Sequence, residues 1–372
     1  MSRTPNPTLT AAGRALRPWL VPALVCAGFS LHPGFFNTFW TREYLPNILQ
    51  QAATNIILAA GLTFVILTGG IDLSVGSVMA LCGVALGLAV TTGPPPFLAG
   101  ILALPVAVLA GWLVLGTLSK SHSGPAAGLG ALAAACLAGA AVGAALFQGM
   151  RGGVRLEGAL LAALGVGVSC GVLNGLVVAV GRVPSFVVTL GMLTAARGLT
   201  VYATDGNSVS GLPPRLGALG QGWPLVAIAI VVVVAAGVLQ SRTRAGRMIQ
   251  AIGANEEAAR LSGVNVPGYK LLAYVLSGVG AALAAVVLTA KFQLADTGAG
   301  MGAELNAIAA VVIGGTSLSG GRGSVVGSLV GALTIAILNA GLVLVGVRDT
   351  LQGVIIGAVI VLAVMVDRLR PA

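Results

Sequence analysis

Apolar residues run in blocks of about twenty along nearly the whole chain from Leu16 onward, separated by short stretches carrying Pro, Gly or a basic residue. About twenty apolar residues are what a helix needs to cross the ~30 Å hydrocarbon core of a bilayer. Dividing the chain at charges and at Pro and Gly clusters predicts twelve spans. They lie near 18–38, 47–68, 73–92, 97–118, 126–147, 157–180, 185–201, 223–241, 270–291, 304–318, 324–346 and 350–366. Strand-like alternation is absent, which argues against a barrel. The fold expected is an all-α polytopic membrane protein of about twelve helices.

Composition sharpens this. Only 8% of the 372 residues are charged, against about a quarter in soluble domains. The 55 glycines suit close helix packing, because small residues let helices approach where lipid supplies no drive for association. A net charge of +10 raises nucleic acid as a partner, yet the basic residues sit singly at segment ends and form no run. They read as topology charges. With a cytoplasmic N-terminus, thirteen fall inside, six outside, and Arg197 within a span, so both termini are expected in the cytoplasm. Trp40 and Trp223 then mark the outer interface and Trp19 the inner one.

This division leaves cytoplasmic tails at 1–17 and 368–372 around a membrane domain at 18–367. The longest cytoplasmic loop covers 242–270, and the longest external loop runs only from Tyr202 to Gly222. Any external ligand-binding module must therefore come from another chain. No small-residue cleavage site follows the first span, which is expected to stay. Cys26, Cys82, Cys136 and Cys170 lie singly in apolar runs and read as small buried hydrophobes. His32 and His122 are isolated, so no metal site is expected.

The stretch LSGGRGS, Leu318–Ser324, resembles the signature loop of transport ATPases. Hydrolysis, however, needs a phosphate cradle of the form G-x-x-x-x-G-K-[ST], and none is present. The loop reads as a tight inner turn with Arg322 as its topology charge. GGIDLSVG (Gly69–Gly76) and GGTSLSGG (Gly314–Gly321) agree at five of eight positions, an internal echo that marks Gly69, Gly70, Gly314, Gly315, Gly320 and Gly321 as turn glycines. In the cytoplasmic loop, Asn255 can cap a short helix opening on Glu256 and Glu257 and ending at Gly263. Two turns are marginal alone, so the helix calls for a partner surface or stays a solvated loop helix.

Five polar residues fall within or beside spans. Asp72 either caps the span after it or serves the transport path, since charge at membrane depth is costly. Arg197 can snorkel outward from a short span, line a polar path or pair with a carboxylate. Asn174, Asn306 and Asn339 can hydrogen-bond a hydroxylated solute or tie helices together.

Four blocks carry a family resemblance: GLTFVILTGGIDLSVGSVMAL (Gly61–Leu81), RVPSFVVTLGMLTAARGLT (Arg182–Thr200), TRAGRMIQAIGANEEAARLSGVNV (Thr243–Val266) and ELNAIAAVVIGGTSLSGGRGSVVGSLVGAL (Glu304–Leu333). Together they resemble the permease subunits of ribose- and xylose-type ATP-binding-cassette sugar importers. The resemblance implies a ten-helix permease core with a two-helix insertion at 93–153, and the insertion puts xylose slightly ahead of ribose. It also implies a pore of two permease copies in the bacterial inner membrane. A cytoplasmic ATPase with duplicated cassettes would hold ATP and Mg, so this chain needs no cofactor and is no enzyme. A periplasmic or lipid-tethered binding protein would deliver the sugar. The run Asn255, Glu256, Glu257, Ala258, Ala259, Arg260 with Gly263 fits the family's EAA-x-x-x-G coupling helix. Rival expectations are a nucleoside or branched-chain amino acid permease of the same superfamily, and an ion-driven carrier using Asp72 as a proton site.

Overall fold

A computed structural model describes residues 19–42, 44–93, 95–98, 100–103, 145, 148, 149 and 152–368. The labelled helices are α1 (Leu20–Ser30), α2 (Pro33–Phe39), α3 (Tyr44–Leu67), α4 (Val75–Thr91), α5 (Leu156–Ala179), α6 (Ser185–Thr204), α7 (Pro214–Gly220), α8 (Gly222–Arg242), α9 (Arg244–Ala254), α10 (Glu256–Leu261), α11 (Val266–Phe292), α12 (Ala303–Ile313), α13 (Val325–Leu344) and α14 (Asp349–Arg368). Among the described residues the one extended pairing is an antiparallel bridge between Val209 and Ala295.

Among the described residues six helices, α3, α5, α6, α8, α11 and α13, are long and apolar enough to cross a membrane. The protein is thus an all-α polytopic membrane protein. The predicted spans near 97–118 and 126–147, Cys136, His122 and both tails lie wholly or mostly outside the described residues. Two other spans differ from expectation. The stretch 18–38 breaks into α1 and α2, because Pro33 takes the first position of α2 and holds His32 extended (φ −94°, ψ 123°). The stretch 304–318 shrinks to the eleven residues of α12, which ends where Gly315 turns with φ +88°.

The chain forms two compact units, the first comprising Met1–Ile71, Gly222–Tyr269 and Gly302–Ala372 and the second Asp72–Gln221 and Lys270–Met301. In the first, α3 and α13 are the buried centre, and both pack on α8 and α12. Gly327 and Gly331 let α13 reach the backbone of α12, where an added Cβ would overlap the carbonyls of Gly314 and Ala310. Thr63 and Ser328 share a hydrogen bond of 2.7 Å between α3 and α13.

A second backbone approach joins the loop at 242–270 to this centre. Gly253 near the end of α9 sits so close to the Leu67 carbonyl and the Gly321 N–H that a methyl group there would overlap both. The Gly321 N–H itself donates to the Leu67 carbonyl at 2.9 Å. Gln240 of α8 braces the same region. Its Nε2 donates to the Gly323 carbonyl at 2.9 Å, and its Oε1 accepts from the Val325 N–H at 2.8 Å, capping α13. The end of α3, the Gly314–Gly321 turn and the loop at 242–270 therefore meet at one end of this unit.

In the second unit α4, α5 and α6 pack together. Gly167, Gly171 and Gly175, four residues apart on α5, press against the backbone of α11 around Gly278, Tyr274 and Leu271. Asp72, 3% exposed, brackets three elements. Its Oδ1 accepts from the Ser74 N–H (2.9 Å) and hydroxyl (2.6 Å), and its Oδ2 accepts from the Ser277 hydroxyl of α11 (2.8 Å). Asn174 of α5 donates to the same Ser74 hydroxyl at 3.0 Å. The residue capping α4 is Ser74, so Asp72 holds the turn before that cap.

Two stability predictions follow from these joints. Gly253→Ala should cost about 1–3 kcal/mol through overpacking, whereas Gly237→Ala, with open space around it, should be neutral or mildly stabilising. Asp72→Ala should cost about 2–3 kcal/mol by stranding buried hydroxyls, and Asp72→Asn less than half of that. Unfolding of the purified protein in detergent reads both pairs.

Candidate functional site

The loop at 242–270 folds into α9 and α10. Thr243 caps α9, its hydroxyl accepting from the Gly246 N–H at 3.3 Å. Asn255 caps α10 in the way its sequence suggests, Oδ1 accepting from the Ala258 N–H at 2.9 Å. Glu256 and Glu257 occupy the first turn, where the helix dipole favours negative charge. Gly263 leaves the helix with φ +79°.

The two faces of α10 differ. Ala259, 6% exposed, packs with Ile252 and Val266 in a small cluster that includes Val264 and Tyr269. Glu256, Glu257, Ala258, Arg260 and Leu261 are exposed, Leu261 at 79%. Arg260 meets Glu257 at 2.7 Å across one helical turn. That hydrogen bond, and then the carboxylate's charge, raise the guanidinium pKa above its ordinary value. A pair this exposed adds little to stability and leaves both charges on display. The missed feature was α9. Its sequence signal is an amphipathic run with Ile249 and Ile252 on the buried face.

Of the five polar residues weighed as a transport path, the structure brings two into one cavity. Asn306 and Asn339 line a space of ≈ 220 Å³ in the first unit with Gln51, Thr54 and Asn55 of α3. The Oδ1 of Asn55 is buried there without a hydrogen-bond partner. None of the residues lining this cavity is titratable. The α3 contribution escaped the sequence reading although Gln51 and Asn55 fall one helical turn apart, ahead of an unbroken apolar run.

Asp72 and Asn174 belong instead to the bracket in the second unit. Arg197 lies elsewhere in that unit, and its Nη1 donates to the carbonyls of Thr297 (2.7 Å) and Ala299 (3.0 Å). The guanidinium thus holds a loop that is also pinned by the Val209–Ala295 bridge and by the Ser208 hydroxyl on Asp296. A larger cavity in this unit, ≈ 370 Å³, is lined mainly by apolar groups such as Met79, Leu288 and Phe292. It offers a hydroxylated solute few partners.

The turn glycines behave unequally. Gly69 has φ +78°, but its counterpart in the echo, Gly314, has φ −66°, and the left-handed residue is Gly315. The helix after the first turn starts at Val75, and the helix after the second starts only at Val325. The echo marks two helix ends and does not extend to equivalent geometry. Gly320 and Gly321 both take positive φ, and the Arg322 carbonyl accepts from the Ser317 N–H at 2.9 Å, closing the expected tight turn. Among the described residues no cluster of metal-ligating side chains occurs.

Comparison with known proteins gives a consistent result. The chain is 38% identical over 333 residues to the ribose import permease protein of Bacillus subtilis, covering 88% of this chain and 85% of that one. It is 37% identical over 379 residues to the ribose import permease protein of Escherichia coli K12, covering 97% and 98%. The D-allose transport system permease protein of the same organism is 32% identical over 357 residues, covering 94% and 90%. No solved structure matches. The model of one family, described as branched-chain amino acid transport system / permease component, matches residues 44–124 and 124–364. This chain belongs to that family of membrane permeases.

Proposed function

We propose that this chain is the membrane-spanning subunit of a bacterial importer for a monosaccharide, with a pentose such as ribose the favoured cargo. The names of its relatives bring ribose ahead of xylose. The observation that carries the reading is α10, seated on its inner side by Ala259 and bare on its outer side. A six-residue helix has no reason to be ordered in solution. One that is capped at both ends and backed by its own apolar cluster is suited to receive force from another protein.

In this reading a separate ATPase with duplicated cassettes, holding ATP and Mg, docks on Glu256, Glu257, Arg260 and Leu261. A binding protein delivers sugar from outside, and two permease copies make the pore in the inner membrane. Closure of the ATPase moves α10 and α9, and the Gly253 and Gln240 joints pass that motion to α3 and α13. The access of the pore then changes sides without any covalent step on this chain. An ion-driven carrier is less well supported, because both oxygens of Asp72 are already engaged by serine donors.

Leu261→Asp and Glu257→Ala alter exposed side chains and should leave folding intact. In proteoliposomes holding the permease, its ATPase and its binding protein, each should lower ATP-driven ribose uptake by about tenfold, the loss of roughly one good interface contact. Uptake driven by an ion gradient in the absence of any ATPase would defeat the importer reading.

A further inference from the structure

We infer that the cavity between α3, α12 and α13 is the site at which an uncharged, polyhydroxylated solute is selected during passage, held by the side chains of Gln51, Asn55, Asn306 and Asn339. The inference rests on the importer reading and adds to it a place and a chemistry.

Depth supports the assignment. The inner end of the first unit is marked by Leu67, the Gly314–Gly321 turn and Val325. At 1.5 Å per residue, Asn306 lies about 10 Å along α12 from that end, Asn55 about 18 Å along α3, and Asn339 about 21 Å along α13. All three fall in the central part of a ~30 Å hydrocarbon core. Amides at that depth are costly unless they face protein or a water-filled space. Asn55 is half-buried and lines the cavity, while its Oδ1 is itself buried and has no hydrogen-bond partner, so the lining amide is not consumed by a contact within the protein through that atom.

Chemistry then narrows the occupant. Each amide offers an acceptor and two donors, and a sugar hydroxyl is itself donor and acceptor, so neighbouring hydroxyls can be met in pairs. A volume of ≈ 220 Å³ equals about seven waters at ~30 Å³ each, enough for one small solute. An amino-acid zwitterion would bring two charges to a lining that contains no ionisable side chain, and its branched apolar end would strand the amides. The lining therefore favours a polyol over a branched-chain amino acid, although the family's description names the latter.

The test uses the complete importer in proteoliposomes with labelled D-ribose, 2-deoxy-D-ribose and L-leucine as probes. Asn55→Leu, Asn306→Leu and Asn339→Leu should each lower ribose uptake about tenfold or more, with unchanged ATPase assembly and unchanged ribose affinity of the isolated binding protein. The size-matched Asn339→Asp, a control against misfolding, should assemble normally and still lose uptake, because it places a charge in the cavity. The leucine variants should also narrow the rate difference between ribose and its deoxy analogue. If the wild-type complex imports ribose and the variants match it in rate and selectivity, the cavity assignment fails while the importer reading stands. A wild-type complex that hydrolyses ATP and moves L-leucine but neither sugar overturns both.

Discussion

The architecture of the first unit depends on one backbone approach, that of Gly253 to the Leu67 carbonyl and the Gly321 N–H. Hydrogen-bonded backbone is the stiffest material a helical protein has, and contact without intervening side chains leaves nothing between the elements to yield. Three segments far apart in sequence, the end of α3, the turn before α13 and the end of α9, are thereby made one body. Gln240 adds a second tie, bonding through both ends of its amide to the chain entering α13. A displacement of α9 is passed to α3 and α13 as displacement and is not absorbed as side-chain rearrangement.

The same two helices carry the cavity. Asn55 belongs to α3 and Asn339 to α13, so the elements held at the Gly253 joint also supply the amides of the cavity. Between them, nearer the joint, Thr63 and Ser328 bond across the pair at 2.7 Å. On the proposed reading, coupling and selection would sit at opposite ends of one pair of helices. In the second unit the corresponding stiffness comes from the glycine row Gly167, Gly171 and Gly175 and from the Asp72 bracket.

Much of this was visible in the sequence, and the physical reasons for success and failure differ. Membrane insertion was plain because a lipid environment enforces long apolar runs on every crossing segment. The α10 helix was plain because capping is local, and Asn255, Glu257 and Gly263 act within one another's reach. Asp72 and Arg197 stand out in the sequence as charges among apolar residues, but their distant partners do not. Asp72 bonds locally to Ser74, but its bond from Ser277 and those of Arg197 to Thr297 and Ala299 cross about one hundred to two hundred residues, which no local pattern encodes. Asn55 was missed for the opposite reason, since one amide ahead of an apolar run looks like the edge of a span. Only the folded unit shows that it lines one cavity with Asn306 and Asn339.

The absence of ionisable groups from the amide cavity has an electrical consequence. Moving one elementary charge through a membrane potential of 100 mV involves about 2.3 kcal/mol. On the proposed reading, a neutral cargo passing neutral amides would itself carry no charge across the membrane. The direction of transport would then depend on the ATPase cycle alone, and cells whose membranes are strongly or weakly energised would accumulate the solute equally well.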